Sequence, residues 1–90
     1  MEKARKSIMK ALGDGLPGCE VTVEPFSSEK FALTVLWDGF ADQSELERQH
    51  KVRETVQAQL GAAAEEALEH LAFVFVWTPK EKRQYDIDKL

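Results

Sequence analysis

The chain has 90 residues, a net charge of −4, 43% apolar side chains and 31% charged side chains. This length and balance indicate one ordinary globular domain with one modest hydrophobic core. The acidic charge argues against strong nonspecific binding to DNA or RNA, which requires a basic surface. The single cysteine, Cys19, excludes an internal disulfide and a cysteine-based zinc site. No apolar run approaches the ~20 residues that span a bilayer, and no secretory signal pattern is present, so we expect a cytoplasmic protein without a membrane anchor.

The first part of the chain predicts one helix followed by two strands. Apolar residues at helical spacing predict a helix over residues 3–13, which ends in a turn rich in glycine and proline. Alternation of apolar and polar residues predicts a half-buried strand over residues 19–24. After Pro25 and a short connection, the apolar residues 31–37 predict a second strand.

The second part predicts two helices, a strand and a final helix. Ser44 and Glu47 have the spacing of a capping box, so a helix should begin there and run to about Leu60. The side chains predicted to face the core from this helix are Leu46, Gln49, Val52, Val56 and Leu60. Gly61 interrupts the helix, which resumes over residues 62–69. Residues 71–77 are apolar on both faces and predict a third, central strand. A second capping box at Thr78 predicts a short final helix that frays into a polar tail at about residues 82–90.

The predicted fold is therefore a single α+β domain over residues 1–90, in the order α-β-β-α-α-β. We expect a three-stranded sheet with helices packed on one face. The aromatic residues expected to form the core of the sheet are Trp37, Phe73, Phe75 and Trp77. The alternative is that these aromatic side chains lie on an exposed face of the sheet, where they would form a partner site.

A set of spaced residues within this order resembles the BolA-like family, whose topology is that of class II KH domains. The set contains Phe31, Phe40-Ala-Asp-Gln-Ser44, Arg48-Gln49-His50-Lys51-Val52, His70 and Thr78-Pro79. Family members have a strand phenylalanine, an F-x-G-x-S turn, a helix with a K/R-H/Q-x-x-V pattern, and a histidine eight residues before a Thr-Pro pair. Asp42 stands here in the place of the turn glycine, and Gln49 in the usual histidine place.

The resemblance implies a non-catalytic adaptor that binds a monothiol glutaredoxin and shares a [2Fe–2S] cluster with it. His70 would be the cluster ligand. The other partner-binding residues would be Phe26, Ser27, Ser28, Glu29, Thr78 and Pro79. Many relatives have a second His or Cys ligand in the loop between the first two strands, and residues 26–29 contain neither. Serine is a poor iron ligand beside thiolates. A structural role for His70 stays open, because an imidazolium is favourable at a helix C-terminus.

Two alternatives of other classes remain. A class II KH domain binds single-stranded nucleic acid through a GxxG loop, whereas residues 60–63 here contain one glycine and no basic residue. A weak nucleic-acid contact would then use the basic residues of the first helix, which are Lys3, Arg5, Lys6 and Lys10. The other alternative is a diverged scaffold for protein interactions, as a monomer or weak dimer. No P-loop, dinucleotide-binding turn or nucleophile elbow is present, so we expect no enzymatic activity.

Overall fold

The computed structural model describes residues 2–89, in which the chain forms four α-helices and three strands. In chain order, the elements are α1 (Glu2–Gly15), β1 (Glu20–Pro25), β2 (Phe31–Leu36), α2 (Glu45–Leu60), α3 (Ala64–Glu69), β3 (Leu71–Trp77) and α4 (Pro79–Asp88). Short 3-10 turns occupy Asp38–Phe40 and Gly61–Ala63. The predicted α+β class and the order α-β-β-α-α-β are confirmed.

The sheet has the strand order β1-β2-β3, so β2 is the central strand. β1 pairs with β2 in the antiparallel direction through a hairpin, and β3 pairs with β2 in the parallel direction after the helical crossover. The prediction that residues 71–77 form the central strand was wrong. Their apolar character on both faces arises because one face lies in the core and the other carries exposed aromatic rings.

The hydrophobic core lies between one face of the sheet and the helices α1, α2 and α3. The largest fully buried side chains are Ile8, Leu12, Leu16, Phe31, Leu33, Val35, Phe40, Val52 and Val56. The predicted apolar stripe of the first helix is confirmed, since Ala4, Ile8, Ala11 and Leu12 are buried. Leu46 does not face the core as predicted: it lies in the first turn of α2 and is 68% exposed.

Both predicted capping boxes are present. The Ser44 hydroxyl accepts a hydrogen bond from the Glu47 N–H, and the Thr78 hydroxyl accepts one from the Glu81 N–H. In each case the glutamate side chain accepts from the capping residue's N–H, so both helix starts are fixed by local sequence. The final helix extends through Asp88, further than the short helix and polar tail that we expected.

The last helix is tied to α2 by an ion pair. Arg48 and Glu81 form two hydrogen bonds, of 2.6 and 3.0 Å, and the arginine is 8% exposed.

Within residues 2–89, no helix combines the length and apolar character needed to cross a membrane.

A candidate docking site at one end of the sheet

The hairpin loop between β1 and β2 lies beside the residue that precedes β3. Because β2 and β3 are parallel, the residues before them meet at the same end of the sheet. The Phe31 N–H donates to the His70 carbonyl oxygen over 2.9 Å, which joins the two strand starts. We call this region, formed by His70 and the loop residues Phe26, Ser27, Ser28 and Glu29, the His70 end.

The imidazole of His70 has a defined orientation. Its Nδ1 atom lies 3.0 Å from the carbonyl oxygen of Glu29. A carbonyl oxygen only accepts hydrogen bonds, so this contact selects the form in which Nδ1 carries the proton. In the neutral ring, Nε2 then has a free lone pair, which is the arrangement found in metal-ligating histidines. The ring is half-buried, so it remains accessible from outside.

A second contact holds the same loop in place. Lys30 Nζ donates to the carbonyl oxygen of Glu69 over 2.9 Å, one residue before His70. On the other side of His70, a shallow depression of about 110 Å³ lies between α1 and α3, and Lys3, Ser7 and Glu66 contribute to its lining. The His70 end therefore combines an oriented imidazole with a hairpin loop fixed by two contacts that are distant in sequence.

The donor atoms of this region fit one ligand position. Within residues 2–89, no three His, Cys, Asp or Glu side chains come together as a metal site would require. Cys19 precedes β1, at the opposite end of the hairpin from His70, because Glu20 pairs with Leu36 at the end of β2. Its Sγ lies 3.4 Å from the Leu12 carbonyl oxygen, and burial raises the pKa of its thiol. This cysteine is a packed structural residue at the far end of the hairpin, so its thiol is not a second ligand beside His70.

Thr78 and Pro79 lie away from the other predicted partner-binding residues. They follow β3, whereas His70 precedes it, so the length of a seven-residue strand separates them, about 23 Å. Thr78 is buried and acts as the cap of α4, with Pro79 at the start of the helix. The structure thus brings Glu29 of the predicted loop into contact with His70, packs Phe26 on Phe73, and assigns the Thr-Pro pair a role in the fold.

The four basic residues of α1 divide between two flanks of the helix, with Lys3, Lys6 and Lys10 on one side at i, i+3, i+7 spacing and Arg5 on the other. Arg5 and Lys6 pair with Glu2, and Lys10 pairs with Asp14. Arg5 lies near β1, whereas Lys3 lines the depression beside α3 on the other flank of the helix. At the position of a KH loop, the Gly61–Ala63 turn is followed by Glu65 and Glu66. This arrangement places negative charge where a nucleic-acid phosphate would approach.

The sequence reasoning misplaced the aromatic residues of β3. Phe73 and Phe75 are 39% and 49% exposed on the sheet face opposite α1, α2 and α3, so they do not form the core. Their rings pack edge to face, and the Phe26 ring packs in the same way on Phe73, at centroid distances of 5.2 and 5.1 Å. Trp77 is half-buried and packs on Tyr85 of α4. The exposed aromatic face that we considered as the alternative is the one observed.

Trp37 belongs to the end of the sheet, not to the core of its face. Its indole N–H donates to the Pro17 carbonyl oxygen over 3.0 Å, and its ring packs edge to face on Phe40. It therefore closes the end of the core opposite His70.

No known protein-family profile matches the chain, and no curated protein is significantly similar to it. The resemblance to BolA-like proteins therefore depends on the spaced residues given above, and function must be argued from the geometry of the site.

Proposed function

We propose that this protein is a non-catalytic adaptor that binds a monothiol glutaredoxin through the His70 end. The observation that carries the proposal is the hydrogen bond between His70 Nδ1 and the Glu29 carbonyl oxygen, which leaves Nε2 free to act as a donor atom. The same bond holds the hairpin loop against the histidine, so a partner would meet both together. Such pre-organisation reduces the ordering cost of association.

In this proposal His70 supplies one ligand to a [2Fe–2S] cluster held mainly by the partner. A cluster of this kind stores and transfers single electrons or is passed on as cargo, and its iron prefers thiolate or imidazole donors. The residues of this chain fit one ligand position and do not fit a site that requires two ligands from the adaptor. Glu29 orients the imidazole through its carbonyl, and Phe26 of the same loop, 59% exposed, adds apolar surface for a partner. Docking therefore depends on the loop and the histidine together.

The test mixes the purified protein with a cluster-loaded monothiol glutaredoxin, and separately with the cluster-free form. We expect a complex on a sizing column and a changed visible circular-dichroism spectrum in the cluster-loaded mixture. His70→Ala should remove the spectral change. His50→Ala is the matched control, because His50 is exposed on α2 and forms no hydrogen bond within the part of the chain that the structure describes.

The outcomes separate docking from ligation. If the wild type, His70→Ala and His50→Ala all form a complex and none changes the spectrum of the cluster-loaded glutaredoxin, the docking site is retained and His70 is not a ligand. Absence of any complex with either form of the glutaredoxin would contradict the proposal. The fold would then serve as an interaction scaffold for a different partner.

A further inference from the structure

The open face of the sheet has an ordered pattern of charge and apolar surface. The register places Glu24, Ala32 and Phe73 in one row across the three strands, and Thr22, Thr34 and Phe75 in the next. The third row contains Glu20, Leu36 and Trp77. We call this surface, formed by the nine residues of the three rows, the open face. One border is acidic, the opposite border is aromatic, and the small or aliphatic residues of β2 lie between them.

Both borders are available for contact. Phe73 and Phe75 are exposed, and the exposed Phe26 ring from the hairpin loop packs on Phe73 and adds to the apolar surface. Glu20 and Glu24 are exposed, and neither carboxylate forms an ion pair within residues 2–89. None of the nine side chains is basic. Contiguous exposed apolar surface of this kind marks an interaction site in a folded domain.

We propose that the open face binds an amphipathic helix whose apolar stripe is flanked on one side by lysine or arginine. The two borders are two strand spacings apart, about 10 Å, which matches the diameter of one α-helix. Glu20 and Glu24 are four residues apart on one strand, a separation of about 13 Å. Basic residues seven or eight positions apart in a helix lie on nearly the same side and are separated by about 10–12 Å. The apolar stripe of the helix can therefore contact the aromatic border while its basic residues contact Glu20 and Glu24.

Charge argues for this occupant over two others. A nucleic acid would place its phosphates against Glu20 and Glu24, where they are repelled. A second copy of this chain would bring an identical face, and the nearest basic residues bordering that face, Lys82 and Lys89, already lie over the Tyr85 ring beside Trp77. Lys82 is also paired with Asp86, so a second copy offers the carboxylates a poorer cationic partner than a lysine-rich helix does. A basic amphipathic helix supplies both the apolar area and the opposite charge.

A partner cannot bind β3 by adding a strand along its outer edge. Gln49 Nε2 donates to the Val74 carbonyl oxygen over 2.8 Å, and Arg48 Nη1 donates to the Val76 carbonyl oxygen over 3.3 Å. These side chains occupy acceptors that an added strand would need. A partner that approaches β3 therefore contacts its aromatic face.

The experiment uses three helical peptides of about 18 residues, which corresponds to about 27 Å of helix. The first has a leucine stripe flanked by lysines, the second replaces lysine with glutamate, and the third has the composition of the first in a scrambled order without a stripe. Binding is measured by fluorescence anisotropy of the labelled peptides, and the surface is mapped by amide chemical-shift changes in the full-length protein. Light scattering of the free protein determines its oligomeric state.

We expect the leucine–lysine peptide to bind with chemical-shift changes confined to the open face, and the other two peptides to bind at least ten-fold more weakly. Phe75→Ser should weaken binding by more than ten-fold. The double variant Glu20→Lys/Glu24→Lys should weaken it by about three- to ten-fold, and by less in high salt, because exposed ion pairs are screened. The charge variant does not touch the core, so it tests the proposal even if Phe75→Ser alters folding.

Leu46→Ser and Glu54→Lys are the matched controls, since both residues are exposed on α2, away from the open face. They should bind the leucine–lysine peptide as the wild type does. Equal binding of the acidic peptide, loss of binding in the controls, or no binding of any peptide would overturn the proposal. A dimer of the free protein that Phe75→Ser converts to a monomer would also overturn it, because the open face would then be occupied by a second copy.

Discussion

The ion pair between Arg48 and Glu81 offers a direct test of how this small domain holds its last helix. Arg48 donates two hydrogen bonds to the Glu81 carboxylate, and it also donates to the carbonyl oxygens of Gln43 and Val76. These hydrogen bonds, first with Arg48 and then with the Thr78 N–H, lower the pKa of Glu81 from its ordinary value of 4.5 to about 2. Glu81→Gln removes the charge but retains an oxygen that can accept from Thr78.

The expected magnitude follows from this difference in pKa. A change from 4.5 to about 2 corresponds to about 3.4 kcal/mol, at about 1.36 kcal/mol per pH unit. The Glu81 side chain is 41% exposed, so solvent screening reduces the expected contribution to about 1–2 kcal/mol. Because the pKa is lowered in the folded state, this contribution is present above about pH 5 and is lost as the pH falls toward 2. Arg48→Met should cost more, about 2–4 kcal/mol, because it also leaves two carbonyl oxygens without their donor.

The assay is urea unfolding followed by tryptophan fluorescence at pH 7 and pH 3. Glu81→Gln should lower the free energy of unfolding by about 1–2 kcal/mol at pH 7, and by less than half of that at pH 3. The double variant Arg48→Met/Glu81→Gln should be less destabilised than the sum of the single variants, since the two residues act as one pair. An equal effect of Glu81→Gln at both pH values would refute the assignment of this stability to the ionised pair.

Three glycine substitutions test the backbone and packing under the same unfolding assay. Gly13→Ala should raise the free energy of unfolding by about 0.5–1 kcal/mol, because Gly13 is exposed within α1 and has open space around it. Gly61→Ala should lower it by about 1 kcal/mol, because Gly61 has a φ of +57° although the space around it is equally open. Gly39→Ala should lower it by about 1–3 kcal/mol and shift the tryptophan emission, because the added methyl group would overlap the Trp37 indole. Gly13→Ala and Gly61→Ala must change the free energy of unfolding in opposite directions. A stabilising Gly39→Ala would contradict the packing of Trp37.

Local signals in the sequence were sufficient to predict the helix starts and the order of the elements. The capping boxes at Ser44 and Thr78 act through hydrogen bonds within four residues, so the sequence contains all the information needed to identify them. The position of β3 in the sheet could not be predicted from such local signals. Residues 71–77 read as a buried central strand because apolar residues occupy both faces, and periodicity alone does not distinguish burial from an exposed apolar surface.

The candidate site was also predictable only in part. The spacing indicated that His70 begins the last strand, and the resemblance to BolA-like proteins implied that the hairpin loop is near it. The parallel pairing of β2 and β3 brings them together. The orientation of the imidazole depends on a contact between residues 41 positions apart, which no local pattern contains. The same limit applies to Arg48, whose partners on β3 and α4 lie 28 and 33 positions away.

Two side chains of α2 that bond to the outer carbonyl oxygens of β3 explain why an edge strand of this composition is compatible with a folded monomer. An exposed edge with an apolar face invites pairing with other chains. Here α2 supplies Arg48 and Gln49 to the outer carbonyl oxygens of β3, and Glu81 fixes the arginine in that position. Pairing along the edge is thereby opposed, while the rings of Phe73 and Phe75 stay accessible on the face. Loss of Arg48 should therefore do more than lower stability, because it should expose the β3 edge and increase self-association. Phe75→Ser added to Arg48→Met should reduce that self-association.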